Sequence, residues 1–233
     1  MHERNIHQMT KRIMIGAAIL ASGLLFFCPT HSKATTITFD LQYEISGGTP
    51  PAGTPPWLRA TFDDDNTPGS VTLTLTALNL TGSEKVTEWD FNFDPSKNLN
   101  FLIITQTSGP TADSITKDKN NLKGGGDGYF DIGIYFSPSG PLFTVGSQAV
   151  FSLISSEAIT ANSFNSFSNL KKKGSDLSNI HTVAHVQAIG ESANLSGWVA
   201  DQPPAAVPEP ATMFLLGSGL IGLAGFARRR FKR

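Results

Sequence analysis

The chain between Thr35 and Asp201 predicts an all-β fold, an antiparallel sandwich of two sheets in a jelly-roll-like or Ig-like arrangement. Three observations predict it. Short segments alternate apolar and polar residues with a period of two. Clusters of Gly, Pro, Asn and Asp punctuate them, and no segment of this region sustains an apolar stripe at helical spacing. A closed barrel is the alternative arrangement of the same strands.

Taken in order, Thr36 to Ile45 alternates through Ile37, Phe39, Leu41, Tyr43 and Ile45, as one half-buried strand does. Ser46 to Pro56, dense in Pro and Gly, is a loop. Trp57 to Phe62 is a short strand, and Asp63 to Gly69 a turn. Val71 to Leu78 has the cleanest alternation, threonines outward and aliphatics inward. Val86 to Phe93 sets Val86, Glu88, Asp90 and Asn92 on one face, with Trp89, Phe91 and Phe93 on the other. Leu99 to Gln106 is the next strand. Ser108 to Gly128, charged and glycine-rich, reads as a loop with Lys117 to Asn121 at its exposed tip. Tyr129 to Phe136, Ala149 to Ile154 and Ile180 to Ile189 complete the strands, and Ile159 to Gly174 admits an irregular one. Gln202 to Val207, with Pro203-Pro204, is a stiff linker.

Two apolar, charge-free runs lie outside this region. Ile13 to Phe27 follows Lys11 and Arg12 and has the length of a signal-peptide core. Ser32-Lys33-Ala34 then offers small residues at the −3 and −1 positions, so cleavage is expected after Ala34. A lipidated Cys28 is the rival, but lipidation wants a small residue before the cysteine, where Phe26 and Phe27 stand. The second run, Ala211 to Ala227, is 17 residues long. As a helix it spans about 25 Å, close to the hydrocarbon core of a bilayer. The cluster Arg228, Arg229, Arg230, Phe231, Lys232 and Arg233 follows and favours the cytoplasmic side, as do Lys11 and Arg12. Both ends therefore put the region between them outside the inner membrane. The expected divisions are a signal peptide (1–34), an exported β domain (35–201), a linker (202–207) and a C-terminal segment (208–233) with its helix at 211–227 and basic tail at 228–233.

Charge follows the same division. The whole chain has a net charge of −1, but Thr35 to Asp201 holds 9 Lys+Arg against 17 Asp+Glu, a net of −8. An acidic exported domain argues against nucleic acid, which needs a basic face. The single cysteine, Cys28, falls within the signal peptide, so packing rather than disulfides must hold the domain.

Few residues suggest chemistry. Asp63, Asp64 and Asp65 cluster three carboxylates beside Asn66, and two readings stand: a solvated turn, or a calcium site without EF-hand spacing. Beyond calcium no cofactor is implied. Gly124 to Gly128 is a single glycine-rich loop, not a stacked repeat. His181 and His185, four apart on a strand, sit about 13 Å from each other, too far to share a metal. Trp57, Trp89 and Trp198 belong to the core or to a sugar-stacking platform, with Trp198 expected to be the most exposed. Gly217-Ser218-Gly219-Leu220-Ile221-Gly222 matches a dinucleotide fingerprint, but inside an apolar run with no preceding strand. No Gly-x-Ser-x-Gly elbow occurs, and nothing in the sequence singles out two of the carboxylates as a hydrolytic pair. A non-enzymatic domain is expected.

Pro208-Glu209-Pro210, the apolar run behind it and the Arg228-Arg229-Arg230 cluster stand in fixed order. This layout resembles the PEP-CTERM sorting signal of Gram-negative bacteria. The resemblance implies a membrane transpeptidase, the exosortase, that cuts near Pro208, Glu209 and Pro210 after transient inner-membrane anchoring. It also implies delivery to the cell surface or extracellular matrix, and an association with exopolysaccharide and biofilm. The prolines hold the tripeptide extended, as a processing enzyme needs. Phe62-Asp63-Asp64, Trp89 to Pro95 and Ala184 to Gly190 resemble stretches of uncharacterised exported proteins with the same signal, which imply no activity. A carbohydrate-binding module and a secreted glycoside hydrolase are the alternatives.

Overall fold

A computed structural model describes residues 34–126, 128–170 and 179–203. They form two antiparallel sheets. The first has five strands: β1 (Thr36–Leu41), β3 (Leu58–Asp63), β4 (Ser70–Ala77), β9 (Gln148–Ser155) and β6 (Leu102–Ser108), in that order across the sheet. The second has seven: β7 (Ala112–Gly124), β8 (Gly128–Phe136), β5 (Lys85–Phe91), β11 (Thr182–Ile189), β12 (Leu195–Ala200), β2 (Tyr43–Glu44) and the short β10 (Asn169–Leu170). Gly133 pairs with Asp90 and also with Thr116, so β8 has β5 along one edge and β7 along the other. No α-helix occurs among the described residues; Leu99–Phe101 and Ala161–Phe164 are single 3₁₀ turns. The chain is an all-β sandwich.

The core lies between the sheets, where alternation puts it. Val71, Leu73, Leu75 and Ala77 of β4 face inward and are buried. Opposite them, Trp89 and Phe91 of β5, Ile132 and Ile134 of β8 and Val186 of β11 are buried too. Phe62 joins the layers, edge-on to Phe91 at 5.5 Å and stacked on Phe164 at 4.6 Å. Contacts of this kind add to area burial, the main stabilising term in a domain without disulfides. A smaller cluster of Phe130, Ile180, Val183 and Ala200 packs with Ile45, Leu122 and Trp198.

Several local expectations change. The run Thr36 to Ile45 is not one strand: β1 pairs β3 in the first sheet, and β2 pairs β12 in the second, so the chain changes sheets at Gln42. Alternation continues across that step, which hides it. Val86 does not share a face with Glu88 and Asp90. A bulge at Thr87 shifts the register against β11, and Val86 turns into the core beside Trp89. Ser108 to Gly128 is not a loop. Most of it is β7, a largely exposed edge strand whose register against β8 shifts twice, between Ala112 and Ser114 and between Lys117 and Leu122. Lys117 to Asn121 is therefore an irregular stretch within a strand and not the tip of a loop. Gly124 to Gly128 is the β7–β8 turn, with Gly125 and Gly126 at φ 64° and 117°. Leu195 to Ala200, unassigned from sequence, pairs with β11 as β12.

Candidate functional site

The second sheet carries its polar residues on the outer face, and register aligns them across four strands. Tyr135 of β8 lies opposite Glu88 of β5, Glu88 opposite His185 of β11, and His185 opposite Trp198 of β12. All four are half-buried. Tyr135 hydrogen-bonds Glu88. The imidazole of His185 stacks on the Trp198 indole at 4.8 Å, and its Nδ1 lies 3.3 Å from the Thr87 hydroxyl. The bulge that turns Val86 inward thus also brings Thr87 to the histidine.

The adjoining row is Gly133, Asp90 and Val183. Asp90 is fully buried, and neither carboxylate oxygen has a hydrogen-bond partner. What covers it is the β7–β8 turn. A Cβ on Gly124 would stand 2.5 Å from Asp90 Oδ2 and 2.6 Å from Val183 Cγ2, and one on Gly125 would stand 2.5 Å from Ile45 Cδ1. Only glycine backbone lies this close to the sheet. On the other side, Gly133 makes room for the Tyr135 hydroxyl, which a Cβ there would meet at 2.7 Å.

The electrostatics follow from this packing. Burial pushes the Asp90 carboxyl well above the usual carboxylate range, and the negative charge of Glu88 adds to the effect. Burial also raises Glu88, against the lowering effect of the Tyr135 hydrogen bond. Tyr135 is raised by burial first, then by the charges of Asp90 and Glu88, and burial lowers His185. Four perturbed groups on one sheet face mark a candidate site. Glu88 and Asp90 are alternate residues of one strand, about 7 Å apart. Yet Asp90 is closed off beneath Gly124, so the two do not line an open cleft of the kind glycoside hydrolysis uses.

The residues expected from sequence fall elsewhere. Pro208, Glu209, Pro210, Arg228, Arg229 and Arg230 lie outside the described residues, as do the 211–227 helix and Cys28. Among the described residues no helix is long and apolar enough to cross a membrane. Ala34 is exposed and lies two positions before β1, with Thr35 between. Asp63 ends β3, and Asp64 to Asn66 form a turn in which Asp65 and Asn66 take φ of 39° and 55°. The Asp64 carboxylate is turned inward onto backbone N–H groups of Thr35, Asn66 and Ala161. No set of three His, Cys, Asp or Glu among the described residues is placed to hold a metal ion.

Trp57 and Trp89 are core residues, and Trp198 is the most exposed of the three as expected, though still half-buried, because β12 seats it against His185. His181 and His185 have separate surroundings. His181 pairs with Asp201 at 2.7 Å and stacks on Phe39 at 4.9 Å. A cavity of ≈ 500 Å³ is lined in part by Lys97, Lys117 and Lys119. Their ammonium groups donate to the carbonyls of Ala158, Leu102 and Pro95, so they tie loops to the sandwich. Sequence reading missed the outer-face row, since alternation assigns Glu88 and His185 to faces without telling which strands adjoin.

Comparison with known proteins adds one result. No curated protein and no solved structure matches this chain. Residues 206–230, however, match the PEP-CTERM protein-sorting motif, which contains Pro208-Glu209-Pro210, the apolar run and Arg228 to Arg230. The all-β sandwich thus belongs to a chain that carries a PEP-CTERM sorting motif, the signal for export and exosortase processing at the membrane in Gram-negative bacteria.

Proposed function

We propose that this is a non-catalytic component of the cell surface or extracellular matrix, structural or adhesive, which works alongside exopolysaccharide in a biofilm. Its route starts with signal-peptide cleavage after Ala34. The 211–227 helix then holds it in the inner membrane while Arg228, Arg229 and Arg230 stay cytoplasmic. An exosortase cuts near Pro208-Glu209-Pro210 and frees the domain. The sorting motif at residues 206–230 is the observation that carries this reading. Its test is the triple change Pro208→Ala, Glu209→Ala, Pro210→Ala in the native host. The uncut protein should then accumulate in the inner membrane, and release at the normal rate would refute the reading.

A second reading, saccharide binding, is favoured by the outer-face row. Trp198 supplies an apolar ring edge, and Glu88 and His185 supply acceptor and donor groups for hydroxyls. On a glycan array, binding by the processed protein that is lost in Trp198→Ala and Glu88→Gln would support it. Equal signals from all three proteins would exclude it.

A further inference from the structure

Asp64 is a buried carboxylate at the start of the sandwich whose hydrogen-bond partners are backbone N–H groups. Asp64 is buried, at 5 % exposure, and the half-buried Asp63 and exposed Asp65 flank it, so three adjacent carboxylates meet at one turn. Among the described residues no Lys or Arg is a partner of Asp64. Its Oδ1 accepts the backbone N–H of Thr35 at 2.8 Å and of Asn66 at 3.2 Å, and its Oδ2 accepts that of Ala161 at 3.2 Å. The Asp64 N–H in turn donates to the Thr35 carbonyl at 3.2 Å, and the Thr36 hydroxyl donates to Asp63 Oδ2 at 3.0 Å. The turn therefore grips the first residues of the sandwich by backbone and side chain together.

We propose that hydrolysis of the Ala34–Thr35 bond completes this site: the new α-ammonium of Thr35 pairs with the Asp64 carboxylate and locks the N-terminal edge strand. The inference rests on the export reading. A signal-peptidase-class protease would add water across the bond, leaving a carboxylate on Ala34 and an ammonium on Thr35. The same nitrogen, already 2.8 Å from Oδ1, then carries a full charge, and a hydrogen bond to a neutral donor becomes a charge-assisted one. Ala34 itself is exposed, so the bond is accessible in the folded domain. Burial tends to raise the Asp64 carboxyl, but the N–H groups of Thr35, Ala161 and Asn66 outweigh it and hold it below the ordinary value. Asp63 and Asp65 are the charged groups beside it, and Ala161–Phe164, packed across it, brings none.

The sign of the pH dependence is fixed. An ammonium beside a carboxylate has its pKa raised in the folded state. Its stabilisation is complete below the unfolded value of about 7.7–8.0 and is lost as pH rises through the folded value. The experiment has two arms on protein processed in a Gram-negative host. Mass spectrometry of the N-terminus should find Thr35 first; any other start refutes the junction. Protein that begins at Thr35 is then acetylated selectively at its α-amino group and melted beside the unmodified form. At pH 7 acetylation should lower Tm by about 2–4 °C, and the gap should close on raising the pH beyond 9. The gap should also be absent in Asp64→Asn. Equal melting of both forms at pH 7, with Thr35 confirmed as first residue, would overturn the ion pair while leaving the processing site intact. If Asp64→Asn does not fold, the acetylation arm decides alone.

Discussion

Replacing Asp90 with Asn isolates the proton that burial forces onto this carboxyl. The side chain is completely buried, both oxygens lack partners, and Glu88 stands on the same face. A charged carboxylate there would forgo water without compensation, so the folded protein keeps Asp90 protonated to a higher pH than the unfolded chain does. The sign follows. Stability from this group is complete below the unfolded value near 3.9 and falls as pH rises towards the folded value. One proton of difference corresponds to about 1.4 kcal/mol per pH unit over that window. Asn has the same shape and cannot ionise. The free energy of unfolding, from urea melts of wild type and Asp90→Asn at pH 4.5, 5.5 and 6.5, should therefore diverge with pH. The variant should gain on wild type by about 1.4 kcal/mol per unit for as long as Asp90 stays protonated when folded. Subtracting the two curves removes the contributions of Glu88 and His185 to first order. His185, lowered by burial, acts in the opposite sense and costs the fold stability as pH falls below about 6.5. A difference that stays flat across this range would show that Asp90 ionises as freely when folded as when unfolded, and the burial argument would fail.

Two further changes probe the same face and its contrast. Gly124→Ala puts a Cβ 2.5 Å from Asp90 Oδ2 and 2.6 Å from Val183 Cγ2, so the β7–β8 turn must lift from the sheet. A loss of about 1–3 kcal/mol is expected in urea melts, with faster amide exchange at Val183, and unchanged stability would mean the turn does not rest there. Arg59→Ala removes the pair with Asp40 at 2.6 Å on the sandwich surface, where both side chains are more than a third exposed or nearly so, at 43 % and 35 %. The expected loss is only about 0.2–1 kcal/mol and shrinks in 1 M salt; a larger, salt-insensitive loss would contradict solvent screening.

Residue order alone settled what depends on local pattern. Val71 to Leu78 could be read as a strand because its period of two buries one face whichever neighbour it pairs with, and β4 takes that place. The sorting signal was equally legible, because Pro208-Glu209-Pro210, an apolar run and an arginine cluster act through composition and order rather than through a fold. Tertiary structure decided the rest. β7 is an exposed edge strand, mostly polar, whose few packed apolar residues, Ala112, Ile115 and Leu122, follow no period of two, so it looks like a loop. Val86 left its expected face because a bulge at Thr87 reverses parity, and bulges are set by pairing with β11. The row Tyr135, Glu88, His185 and Trp198 exists only through the registers of three strand pairs. Asp90 is buried where Gly124, far along the chain, comes down onto it. Pairing and coverage are long-range, and residues distant in sequence leave no periodic trace of where they will meet.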